Sequence, residues 1–168
     1  MVTLQIVGFK NSGKTTISKK IINYLANKQL KIASLKHHGH GGLPDGFSNT
    51  DSEQHKQSGS VLAGVVGEHV LQLSHSEDWQ ANDIINIYKQ FGVDFLLVEG
   101  FKNLAYPKLV LLRNEEDASL LSKLENIIGI IKSKDFHLPN NTLPVFNSDD
   151  FPQIGEWIYH GYREGKLG

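Results

Sequence analysis

A short apolar run, Val2 to Val7, leads directly into Gly8-Phe9-Lys10-Asn11-Ser12-Gly13-Lys14-Thr15. That junction constrains the fold more than any other stretch. The spelling is G-x-x-x-x-G-K-T, a phosphate-binding loop, and the residues after it, Thr16 to Asn27, carry a helical repeat of Ile17, Ile21, Ile22 and Leu25. A glycine-rich turn can spell the motif by chance, but a strand before it and a helix after it weigh against that. Glycines let the backbone turn its N–H groups inward around a polyphosphate, and a helix N-terminus adds a favourable dipole. Gly8, Lys10, Asn11, Ser12, Gly13, Lys14, Thr15 and Thr16 are therefore the expected nucleotide contacts. Lys14 is expected to reach the β- and γ-phosphates, and the Thr15 hydroxyl to bind Mg²⁺.

The remaining apolar runs alternate with helical patterns. Strands are expected at 31–35, 95–98, 108–112, 127–131 and 143–146, and helices at 51–59, 79–91 and 151–162, with a brief helical piece at 119–124. Two runs at 61–66 and 69–73, separated by Gly67-Glu68, read as a hairpin attached to the sheet. This order predicts a three-layer α/β fold: a mainly parallel sheet with helices on both faces, carrying an antiparallel hairpin. One domain of 168 residues can bury a sizeable core. Net charge of −1 gives no general attraction for nucleic acid, so any polyanion site is local. The absence of cysteine removes disulfides, cysteine zinc sites and thiol nucleophiles together. No apolar stretch approaches the ~18 residues of a membrane span, and a soluble cytoplasmic protein without membrane or nucleic-acid partners is expected.

Three further places carry chemistry. Glu99 follows the apolar strand at 95–98, where a carboxylate would stand near Mg²⁺ or its water shell, while Asp94, at the opposite end, reads as a cap. The loop after the second strand holds Lys36, His37, His38 and His40, and in a parallel sheet it overhangs the nucleotide. Those histidines read as phosphate or partner contacts, with a metal site as the alternative. Arg113 arrives at the same sheet edge after the strand at 108–112. It is one of only two arginines, so catalytic groups are limited to Lys14 and Glu99 with few cations to clamp a transferred phosphate.

With these segments in view, the chain resembles the molybdopterin-guanine dinucleotide biosynthesis protein B (MobB) family along nearly its whole length, from VGFKNSGKTT to FNSDD. The most specific features are Lys36-His37, Asp51-Ser52 opening a helix, and Val98-Glu99-Gly100-Phe101-Lys102. The resemblance implies a GTP-binding accessory protein of molybdenum cofactor maturation that assists the guanylyltransferase. It implies a homodimer with an extended sheet and admits molybdopterin-bearing proteins as further partners. The wider class it resembles includes dethiobiotin synthetase, and carried over from there the metal set is Thr15, Asp51 and Glu99. Two departures stand out. The place of an extra signature lysine early in the loop holds Phe9, with Lys10 one position off. A clean N-K-x-D guanine motif is missing, and the nearest spellings offer Asp135 (Lys132-Ser133-Lys134-Asp135) or Asp149 (Asn147-Ser148-Asp149), each equally placed to be a helix cap. A small-molecule P-loop kinase or ligase, and a metallochaperone GTPase using His37, His38 and His40, are the alternative functions.

Overall fold

The computed structural model describes residues 1–37, 50–139 and 141–167. In chain order the elements are β1 (Val2–Val7), α1 (Lys14–Asn27), β2 (Ile32–Lys36), α2 (Asp51–Gln57), β3 (Leu62–Val66), β4 (Leu71–His75), α3 (Ala81–Gln90), β5 (Phe95–Glu99), β6 (Lys108–Leu112), a 3-10 turn (Glu116–Leu120), β7 (Ile127–Lys132), β8 (Val145–Asn147) and α4 (Phe151–Arg163). They fall into two compact units: Met1–His37 with Tyr88–Gly168, and His38–Ile87.

The first unit is built on a six-stranded sheet of order β2-β5-β1-β6-β7-β8, with every neighbouring pair parallel. Parallel strands covered on both faces read as near-continuous apolar runs, and β5 and β6 (FLLVE and KLVLL) do so. On one face Leu4, Ile6, Phe95, Leu97 and Leu109 pack with Ile17, Ile21 and Leu25 of α1 and Ile154 and Ile158 of α4. On the other, Val7, Val110, Leu112 and Ile130 pack with Leu120 and Leu121 and with Phe136 and Leu138 from the segment after β7. The chain runs from β1 outward to β2 on one side, then passes from β5 across β1 to β6 on the other. Such a reversal opens a crevice at the carboxyl ends of the central strands. The phosphate-loop sequence leaves β1 at that end.

Where the boundaries differ from expectation, local chemistry explains it. Helix α1 starts at Lys14 rather than Thr16 because Gly13, at φ 86°, supplies the left-handed N-cap directly. Strand β8 starts at Val145 because Pro144 has no N–H for the ladder, although its carbonyl accepts from Ile130 N at 2.9 Å. The helical piece expected at 119–124 begins at Glu116, nucleated when the Asn114 side chain accepts from Asp117 N at 3.1 Å.

The second unit corrects a larger expectation. The hairpin does not join the main sheet; β3 and β4 form a separate antiparallel pair, in register from Leu62 opposite His75 to Val66 opposite Leu71. Apolar runs on either side of Gly67-Glu68 fixed the pairing but could not reveal which sheet it belonged to. Helix α2 starts after Thr50, whose side chain accepts from Glu53 N, and Lys56 ties it to the hairpin by donating to Ser74 Oγ at 3.0 Å. Ala63 is buried, yet Val61, Val65, Val66, Val70 and Leu71 are exposed.

Candidate functional site

The loop between β1 and α1 is shaped by close contact and by two left-handed residues. A side chain at Gly8 would bring its Cβ to 2.5 Å from Ser12 Oγ and 3.2 Å from the Leu111 carbonyl, so only glycine fits against β6. Asn11, at φ 60°, and Gly13, at φ 86°, turn the chain back before the helix. The Lys14 ammonium donates to the Phe9 carbonyl at 2.6 Å, bridging the loop from within. Burial lowers the Lys14 pKa, Glu99 opposes that shift, and Lys102, Lys36 and Arg113 reinforce it. The loop thus lies in a cationic neighbourhood that an anion would relieve.

The carboxyl end of β5 supplies the acid. Thr15 Oγ1 donates to the Glu99 carboxylate, 2.9 Å from Oε1 and 3.1 Å from Oε2, and Lys36 Nζ stands 3.5 Å from the same group. A hydroxyl and a carboxylate converging beside a phosphate loop are the hard oxygen donors that Mg²⁺ takes, so the residues present fit the ion. Asp51 is the exposed first residue of α2 in the second unit. Among the described residues no group of three or more His, Asp or Glu is placed to hold a metal. His38 and His40 lie outside the described residues. His37 stacks on Phe101, ring centroids 4.4 Å apart, and its N–H donates to the Glu99 carbonyl.

Gln5 is a residue that sequence reasoning passed over. It is fully buried in β1, and its amide donates to the Gly100 carbonyl at 3.1 Å and the Phe101 carbonyl at 2.7 Å. Both acceptors belong to left-handed residues, so Gln5 holds the turn that follows Glu99 in its unusual conformation. The available signal was a lone amide inside an apolar strand next to the loop.

Beside the loop opens a cleft of about 360 Å³. Asn11, Ser12, Gly13, Thr16 and Lys20 form one wall, and Arg113, Lys132, Ser133, Ser148 and Asp149, after β6, β7 and β8, form the other. The two aspartates held open in the sequence now separate. Asp149 lines the cleft, whereas Asp135 sits in an exposed turn outside its lining. Asp149 is not the helix cap either, because Asp150 takes that role by accepting from Gln153 N at 3.4 Å. Lys20, within α1, was not singled out by sequence, and Ser133 and Ser148, just after β7 and β8, entered only as letters of the two guanine spellings.

Arg113 reaches the sheet edge as expected, but its guanidinium is engaged. Nε and one terminal nitrogen donate to the two Asp117 oxygens at 2.8 Å each, and the other terminal nitrogen donates to the Lys10 carbonyl at 3.2 Å. That hydrogen bonding holds the Asp117 carboxyl below its usual range.

A family model, molybdopterin guanine dinucleotide synthesis protein B, matches residues 3–133. The chain belongs to the MobB family. A probable molybdopterin-guanine dinucleotide biosynthesis adapter protein of Bacillus subtilis (strain 168) is 40% identical over 149 residues, covering 88% of this chain and 86% of that protein. Among solved structures, Bacillus subtilis MobB superposes with a TM-score of 0.77 at 36% identity, covering 95% of this chain and 97% of that one. A MobB homologue from Bacillus stearothermophilus gives 0.76 at 30% identity, covering 98% and 99%. Among the described residues no helix is long and apolar enough to cross a membrane.

Proposed function

We propose that this MobB-family chain binds Mg²⁺ and GTP and assists the guanylyltransferase that completes molybdopterin guanine dinucleotide. The observation that carries the reading is the convergence on one sheet edge of the phosphate loop, the Thr15–Glu99 pair and the cleft ending at Asp149. Backbone N–H groups of residues 11–15 and the Lys14 ammonium bind the phosphates, which requires Lys14 to leave the Phe9 carbonyl. Thr15 and Glu99 would hold the metal, which would neutralise charge on the phosphates. In the cleft, Asp149 accepts from the guanine N1–H and exocyclic amine, and Lys36 and His37 stand at the entrance to the loop.

Hydrolysis is slow, because Arg113 is committed to Asp117 and Lys10 and no other described arginine lies at this edge. A supplied arginine is worth ~10³–10⁵ in turnover. The protein therefore works as a nucleotide-gated adapter rather than as a metabolic enzyme. The hairpin supplies the surface for a second copy of this chain: Val65, Val66 and Leu71 on the two-stranded ribbon and Val70 in its turn are apolar and exposed. Calorimetric titration with GTP and ATP, followed by capture of the guanylyltransferase with and without GTP, tests the reading. Equal affinity for ATP, or turnover near the ~10 s⁻¹ median of enzymes, overturns it.

A further inference from the structure

Arg113 and Asp117 form the strongest polar cluster that the proposed function leaves unused. Asp117 is 1% exposed, and Arg113 N adds a third donor to its carboxylate at 2.9 Å. A buried acid with three donors fixes the guanidinium in one plane. The remaining terminal nitrogen then falls on the Lys10 carbonyl, inside the phosphate loop.

A peptide unit is planar and trans, so its C=O and N–H point in opposite directions. Holding the Lys10 oxygen toward β6 therefore aims the Asn11 N–H away from it. Asn11 sits at a left-handed φ of 60°, which Asn adopts more readily than most side-chain-bearing residues, so the residue type and the Arg113 contact favour the same turn. We infer that Arg113, fixed by buried Asp117, is a positioning residue that presets the Lys10–Asn11 peptide so that the Asn11 N–H is available to a phosphate before any ligand arrives. The pair acts through the loop; because Arg113 also lines the cleft, the Asn11 amide resonance separates positioning from direct contact. This rests on the phosphate-binding reading of the loop, though not on the choice of guanine.

The test is a set of calorimetric titrations with Mg·GTP, inorganic tripolyphosphate and guanosine. The variants are Arg113→Lys, Arg113→Ala and the pair Arg113→Gln with Asp117→Asn. The paired variant leaves no buried charge without a partner and keeps the experiment valid if Arg113→Ala fails to fold. We expect GTP and tripolyphosphate to bind about tenfold more weakly to Arg113→Ala and to the paired variant, with guanosine affected less and Arg113→Lys recovering part of the loss. The Asn11 amide proton resonance moves on adding tripolyphosphate to the parent, and that shift shrinks in the paired variant. A folded paired variant that binds tripolyphosphate as tightly as the parent overturns the inference, as does an equal loss for guanosine. If the parent binds tripolyphosphate but not GTP, the guanine reading fails and the variant ratios still decide the positioning role. If the parent binds neither, both fail together.

Discussion

The parallel sheet and the hairpin are built from equally apolar strands, yet they treat those residues in opposite ways. In β5, Phe95 to Val98 are all buried, because a parallel strand between two neighbours has covering layers above and below. In β3, Leu62, Val65 and Val66 are exposed and only Ala63 is buried. Among the described residues the short α2 packs against this two-stranded ribbon, and such a ribbon is marginal in water by itself. Apolar content therefore reports burial only together with the number of strands that share it. The sheet's apolar residues hold a fold, whereas most of those of the hairpin lie exposed.

Substitution at matched apolar positions breaks the comparison most sharply. Leu97, 1% exposed, should cost about 2–5 kcal/mol as Leu97→Ala, read as a lower denaturation midpoint. On the nucleotide side, Lys14→Ala removes a charge-assisted contact of roughly 2–3 kcal/mol. At ~1.4 kcal/mol per tenfold, GTP affinity falls thirty- to hundredfold by calorimetry; unchanged affinity in the folded variant refutes the role given to the loop. Glu99→Gln keeps the shape but loses the charge, so binding should survive better than Mg²⁺-dependent hydrolysis. Equal hydrolysis at every Mg²⁺ concentration makes Glu99 structural.

The unit built on the sheet also carries a pH signature. The Asp117 carboxyl lies below its ordinary value of 3.8. A depressed carboxyl stabilises the fold above that value and loses its contribution as pH falls through the folded-state pKa. The stability gap between the parent and Asp117→Asn should thus be constant near neutrality and close below pH ~4. Smallest in stability is Val66→Ser, at 77% exposure in the parent, expected within ~0.5 kcal/mol. Its effect should appear instead in sedimentation, as loss of self-association with GTP binding intact; an unchanged mass would remove the hairpin from the dimer.

Much of the sheet was legible because its signals are local. Alternating β and α patterns, the glycine-framed loop and an acid ending β5 all name their own positions. What the sequence hid was pairing at a distance. That β3 and β4 pair only with each other among the described strands depends on neighbours that no strand spells out. Asp135 and Asp149 looked equivalent because each follows a strand, and only the course of β7 and β8 brings Asp149 to the cleft. Arg113 was legible as a cation at the right edge, but the buried Asp117 that holds it sits in a turn the apolar pattern placed too late. Gln5 was visible as a letter and silent as a role, since the carbonyls it meets lie 95 and 96 residues away.

The central place of β1 has a consequence for how the chain is made. Its only neighbours are β5 and β6, and its first ladder pairing joins Val2 to Phe95. On a ribosome adding about 5–20 residues per second, β1 waits on the order of 5–20 seconds for a partner to be synthesised. Throughout that interval an apolar segment and its unpaired amides stand open to other chains. Long-range parallel pairing is also slow once both strands exist. The feature that puts the phosphate loop at the middle of the sheet thus makes the nascent protein a natural client for chaperones, and its yield sensitive to the pace of translation.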